Sequence, residues 1–205
     1  MSLAQSSFFY ICFIVCARGY RILTEATIIK NVQQWMEQVV LGLSLCPFAH
    51  KPWREGLVAL EVCGSAEPED VLEFIQAQLC QLEKAEPAEL ETTLVITPNC
   101  FADFIDYNQF LNVLDALLKH NHWRGVFQIA SFHPHYQFAG TDPTDHSNLT
   151  NRSPYPIFHL LREDSLEQAT LHFPNPESIP DRNIEAMQTL TDDEIRRLFP
   201  FLSRL

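Results

Sequence analysis

The chain has 205 residues, a formal net charge of −12 and 46% apolar residues. That length suits one domain whose core needs no disulfide or metal as a staple. The acidic balance excludes general nucleic-acid binding and docking on anionic lipid, both of which rely on clustered Lys and Arg.

The cysteines, Cys12, Cys16, Cys46, Cys63, Cys80 and Cys100, form no CxxC pair and read as reduced thiols of a cytoplasmic protein. The apolar run 8–17 is too short to span a bilayer. Arg18 and Arg21 follow it rather than precede it, the wrong order for a signal peptide. Residues 1–23 are therefore expected to be a non-native or disordered extension, with a single α/β domain over 24–205.

From Thr24, apolar residues Ile28, Val32, Trp35, Met36, Val39, Val40 and Leu43 recur at helical spacing, with Thr24 or Thr27 as N-cap. The helix should break before Pro47. Leu57–Cys63 reads as a strand. Pro68 then opens a helix whose buried face is Val71, Leu72, Ile75, Leu79 and Leu82. Thr92–Thr97 is a β-branched run and a buried strand. Phe104, Tyr107, Phe110, Leu111, Leu114 and Leu118 give a further helix, and Val126–Phe132 a further strand. After a long loop, a helix is expected over Ile157–Arg162, extended through Ser165–Thr170. Short helices follow around Asn183–Thr189 and Asp192–Leu198. Alternating strands and helices predict a small α-β sandwich with about three core strands and crossover helices, or alternatively a ferredoxin-like α+β sheet.

The stretch Val126–Glu163 concentrates the chemistry, with four of the eight histidines. A loop this long inside a compact domain is usually functional. His133 and His135, at i and i+2, would share a face at a strand end, which suits metal ligation or catalysis. His159 and Glu163, four apart on the expected helix, would also share a face. Cys46 and His50 have the spacing of a nucleophile with its base. Asn151, Arg152, Ser153 and Tyr155 enter a helix N-terminus, where Arg152, with Arg162, would grip an anion. Each of these has a plainer reading as a cap, a brace or a surface pair. No Walker loop, dinucleotide-binding glycine pattern, HExxH or nucleophile elbow is present.

The blocks LGLSLCPFA (41–49), ETTLVITP (91–98), DFIDYNQFL (103–111), GVFQIASFHPHYQFAGT (125–141) and NLTNRSPYPIFHLLRE (148–163) resemble the bacterial and plastid family called domain of unknown function 1415. The resemblance runs from about Ile28 to the end. It implies a soluble cytoplasmic protein and assigns no activity, cofactor or catalytic residue.

Three functions follow from the residues. The preferred one is an enzyme in which His133, His135, His159 and Glu163 hold one divalent metal, Zn or Fe, while Arg152 and Arg162 hold a small anionic substrate. That reading requires all ligand atoms to reach a common point at about 2.0–2.2 Å from the ion. The second is a metal-free pocket for a small anion, or Cys/His acid–base chemistry. The third is a structural or partner protein. No nucleic-acid or membrane partner is expected.

Overall fold

The computed structural model describes residues 24–171 and 173–204; the extension expected over residues 1–23 lies outside them. The fold is mixed α/β around an open four-stranded mixed sheet. In chain order, α1 (Glu25–Trp35) runs into a π-helical turn (Met36–Leu41), followed by α2 (His50–Glu55), β1 (Val58–Val62), α3 (Pro68–Lys84), β2 (Thr92–Ile96), α4 (Phe104–His120) and β3 (Phe127–Phe132). Then come a 3-10 turn (His146–Asn151), β4 (Ile157–Arg162), α5 (Glu163–Leu171), α6 (Ile179–Gln188) and α7 (Asp192–Leu198).

The sheet order is β1-β2-β4-β3, with β1 parallel to β2 and β4 antiparallel to both of its neighbours. The parallel pair is joined by α3, as a crossover requires. β3 and β4 are antiparallel neighbours yet are joined by residues 133–156, far more chain than a hairpin needs.

Strand parity divides the core in two. Val95, Phe158, Leu160 and Phe127 face α3 and α4, and cluster with Ile75, Leu79, Tyr107 and Leu114. Leu94, Ile96 and Ile157 face the other way, against Ile28, Val32, Trp35 and Val39 of the first helical segment and Met187 of α6. Every residue of β2 is buried, which is why it reads as an unbroken β-branched run. The caps follow from the sequence: Thr24 accepts from the Thr27 amide, and Asp103 from the amides of Ile105 and Asp106.

Ile157–Arg162 is a strand, not the expected helix. Its residues pair with Leu94–Ile96 on one side and with all of β3 on the other. A short apolar run carries no usable periodicity when both of its faces are buried. Pro156 sits just before the strand, where its missing N–H removes no ladder bond. The first helix also departs from expectation. It widens into the π turn before Gly42, where an added Cβ would lie 2.4 Å from the Gln38 carbonyl oxygen. The stretch read as a simple break after Cys46 contains the short helix α2.

Among the described residues, no helix is long and apolar enough to cross a membrane.

Candidate ligand-binding site

β1, β2 and β3 all point the same way, so their C-terminal ends share one edge with the start of β4. Open α/β sheets place ligands at such an edge. The long loop 133–156 lies here, and most of its polar side chains turn inward to hold it. The His133 backbone N–H donates to the Asn151 carbonyl at 3.1 Å. Its Nδ1 accepts the His135 amide at 3.0 Å, so the ring proton sits on Nε2 and is donated to the Phe101 carbonyl at 2.8 Å. Asn148 receives the Phe138 amide and the Thr141 hydroxyl. Asn151 donates to the Ser131 carbonyl, and Ser153 to the Tyr155 carbonyl. Arg152 donates to the carbonyls of Pro143 and Tyr136. It braces the loop, and no anion is needed to explain it.

The expected metal set is not brought together. His133 packs on the Phe104 and Tyr107 rings of α4. His159 lies on the opposite face of the sheet, near Phe132. Its Nε2 is 2.8 Å from the Thr92 hydroxyl. That hydroxyl gives its proton to the Leu160 carbonyl, so it accepts from His159. Glu163 opens α5 at the far end of β4, about 20 Å along the strand from Ile157. No group of three or more His, Cys, Asp or Glu among the described residues is placed to hold a metal ion.

The Cys46–His50 pair is not formed either. The Cys46 thiol takes the amides of Phe48 and Ala49, while burial pushes its pKa up, the reverse of what a nucleophile needs. His50 begins α2 and is exposed, as is His135. Arg162 is directed at the carbonyls of Leu82 and Ala85 at the end of α3 and of Leu90 in the connection to β2.

Burial lowers the pKa of both His133 and His159 from 6.5 to about 4. Both rings are neutral in the folded protein at pH 7. The unfolded chain protonates first, so acid favours unfolding. Stability is full above pH 6.5 and declines as the pH falls through the window between 6.5 and about 4. Urea midpoints measured across that window should drop steadily. A midpoint that stays flat, or rises on acidification, would show that the rings are not buried neutral.

The edge does hold a cleft, of about 390 Å³. Asn31, Gln34, Trp35 and Gln38 form one wall; at i, i+3, i+4 and i+7 they share a helix face. Pro154 and Tyr155 close one end, and Arg197, Leu198, Pro200 and Phe201 form the facing wall. The Asn31 side-chain amide donates to the Tyr155 hydroxyl at 2.8 Å. The Trp35 indole N–H donates to the Arg152 carbonyl at 3.0 Å, and its ring meets Phe132 edge-on at 5.3 Å. The α1 wall is therefore tied to the loop and to the sheet. α7 is held by the reciprocal Thr191–Glu194 capping box and by Phe199, which is buried just beyond it. Arg197 makes no ion pair with a described residue, although its charge helps hold the Glu194 carboxyl below its usual range, after the bonds from Thr191. Gln38 sits in the π turn, and π turns recur at functional sites.

Of the residues expected to bind substrate, Tyr155 alone lines this cleft. Asn31, Gln34, Gln38, Arg197 and Phe201 carried no expectation. The amide stripe Asn31-x-x-Gln34-x-x-x-Gln38 beside an apolar helix face was the signal present in the sequence.

The family described as "Protein of unknown function (DUF1415)" matches residues 27–197. The chain belongs to the DUF1415 family. Comparison with curated proteins found no match, and comparison with solved structures found none. The matched span runs from within α1 to Arg197 of α7, so it holds the α1 wall, Pro154, Tyr155 and Arg197, while Leu198, Pro200 and Phe201 lie just beyond it.

Proposed function

We propose that this DUF1415 protein binds a small, flat, anionic metabolite in the cleft between the first helix, Tyr155 and the C-terminal segment. The observation that carries this is Arg197, a cation that closes no ion pair among the described residues, beside a cleft otherwise lined by amides, aromatic rings and the apolar Pro154, Leu198 and Pro200. Guanidinium grips a carboxylate or phosphate through paired N–H donors. Gln34 and Gln38 supply further donors and acceptors. Trp35, Tyr155 and Phe201 offer apolar surface to the rest of the ligand. The ionisable side chains lining the cleft are Arg197 and Tyr155, which favours recognition over acid–base chemistry.

NMR titration with phenyl phosphate and with benzoate tests the reading. Saturable shifts should cluster on the Trp35 indole, the side-chain amides of Asn31, Gln34 and Gln38, and residues 197–201. Arg197→Ala should weaken binding roughly tenfold, with Arg197→Lys in between. Absence of binding by both probes at millimolar concentration, or equal binding by wild type and Arg197→Ala, would sink it.

A further inference from the structure

The C-terminal edge also brings two thiols together, away from the cleft. The Cys63 amide, one residue past β1, donates to the Ile96 carbonyl at 2.9 Å, which places Cys63 alongside Thr97. The chain then turns through Pro98 and Asn99, and the Cys100 amide returns to the Thr97 carbonyl at 3.4 Å. An i to i+3 turn of this kind holds its ends within about 7 Å, so Cys63 and Cys100 both flank Thr97. The two loops are stapled by the Asn99 side chain, which donates to the Gly64 carbonyl at 2.9 Å. The staple joins the residue after one cysteine to the residue before the other. Both side chains enter the same core cluster under α3 and α4, and both are reduced and buried.

We propose that Cys63 and Cys100 form an oxidation site that takes a hydroperoxide and closes to a disulfide. One thiol, as thiolate, attacks the peroxide; the O–O bond breaks, and the departing oxygen takes up a proton and leaves as water or alcohol. The resulting sulfenic acid is attacked by the second sulfur. The S–O bond breaks and a second water leaves, carrying the remaining thiol proton. The two sulfurs together lose two electrons and the peroxide gains them. A disulfide needs Cα atoms about 4.4–6.8 Å apart, a separation the turn around Thr97 permits. The bond would add a covalent link beside the Asn99–Gly64 staple. Burial first, and then the nearby Cys63, Glu67 and Glu69, push the Cys100 thiol pKa up, against an amide from Phe101 that lowers it. The reaction is therefore slow at neutral pH and accelerates in alkali.

The test is peptide mapping and intact mass of the native full chain after graded hydrogen peroxide, quenched by alkylation without reductant. The expected result is loss of two hydrogens and a crosslinked pair of peptides carrying Cys63 and Cys100, forming faster at pH 9 than at pH 7. Cys63→Ser and Cys100→Ser should each abolish that pair and leave a sulfenic or sulfinic acid on the remaining cysteine, while Cys80→Ser keeps it. Should a variant fail to fold, the wild-type map still decides. Oxygen added to either thiol without the crosslink, or a crosslink that instead uses another cysteine, would overturn the proposal.

Discussion

His133→Ala should destabilise the fold by about 3 kcal/mol, a consequence of lost packing and hydrogen bonds. His133 is fully buried. Its ring links the Phe101 carbonyl to the His135 amide. Removing it strands a buried acceptor and leaves a void against Phe104 and Tyr107. Phe101 adds to the effect, because it is held at φ 60°, in the left-handed region that a bulky residue avoids. The His133 bond helps keep that conformation closed over Phe110 and Phe158. Glutamine, which offers both a donor and an acceptor, should recover part of the loss. Guanidinium denaturation of the three proteins gives the comparison. A His133→Ala variant within about 0.5 kcal/mol of wild type would remove the bracing role and return the ring to the list of chemical candidates.

Arg162→Met should have a comparable effect for an electrostatic reason. Arg162 Nη2 lies within hydrogen-bond distance of the carbonyls of Leu82, Ala85 and Leu90. The first two belong to the last turn of α3 and its cap, where orphan carbonyls and the negative end of the helix dipole meet. The guanidinium also lies over the Phe127 ring, at 6.0 Å from its centroid. Methionine keeps much of the apolar stem and removes every donor, so the expected loss of about 2–4 kcal/mol reports the hydrogen bonds and the charge. Lysine should restore more than half, since an ammonium supplies three donors at nearly the same place. Hydrogen exchange should show the last turn of α3 opening first in the methionine variant. Unchanged stability and unchanged protection at residues 80–85 would mean that water serves those carbonyls equally well.

Both variants touch residues whose type suggested ligation or anion binding. Arg152, Asn151 and Ser153 tell the same story. In sequence, each is a polar group in a long loop near other polar groups. In the fold, each donates to a backbone carbonyl, Arg152 and Ser153 to carbonyls of the loop itself and Asn151 to that of Ser131 in β3. A loop of this length running across a sheet edge exposes many such groups, and each must be satisfied where it is buried. Arg197 is the contrasting case. It lies on a seven-residue helix in an acidic tail and gave no signal in sequence, yet the fold sets it across a cleft from Gln34 and Gln38.

The sequence by itself determined α1, α3, α4 and the strands β1, β2 and β3, because each carries a periodicity, a β-branched run or a cap that local chemistry reads without help from distant residues. It also determined family membership, through ordered blocks of residues. Only the tertiary structure decided that Ile157–Arg162 is the strand between β2 and β3, since a short, mostly apolar run becomes a strand when partners on both sides take its amides and carbonyls. That one placement sets His133 and His159 on opposite faces of the sheet and moves Glu163 to its far end, which separates side chains that lie within 31 positions of one another in the chain. The physical reason is the two-residue repeat of a strand: parity assigns each side chain to a layer, and no local pattern reveals parity when both layers are filled.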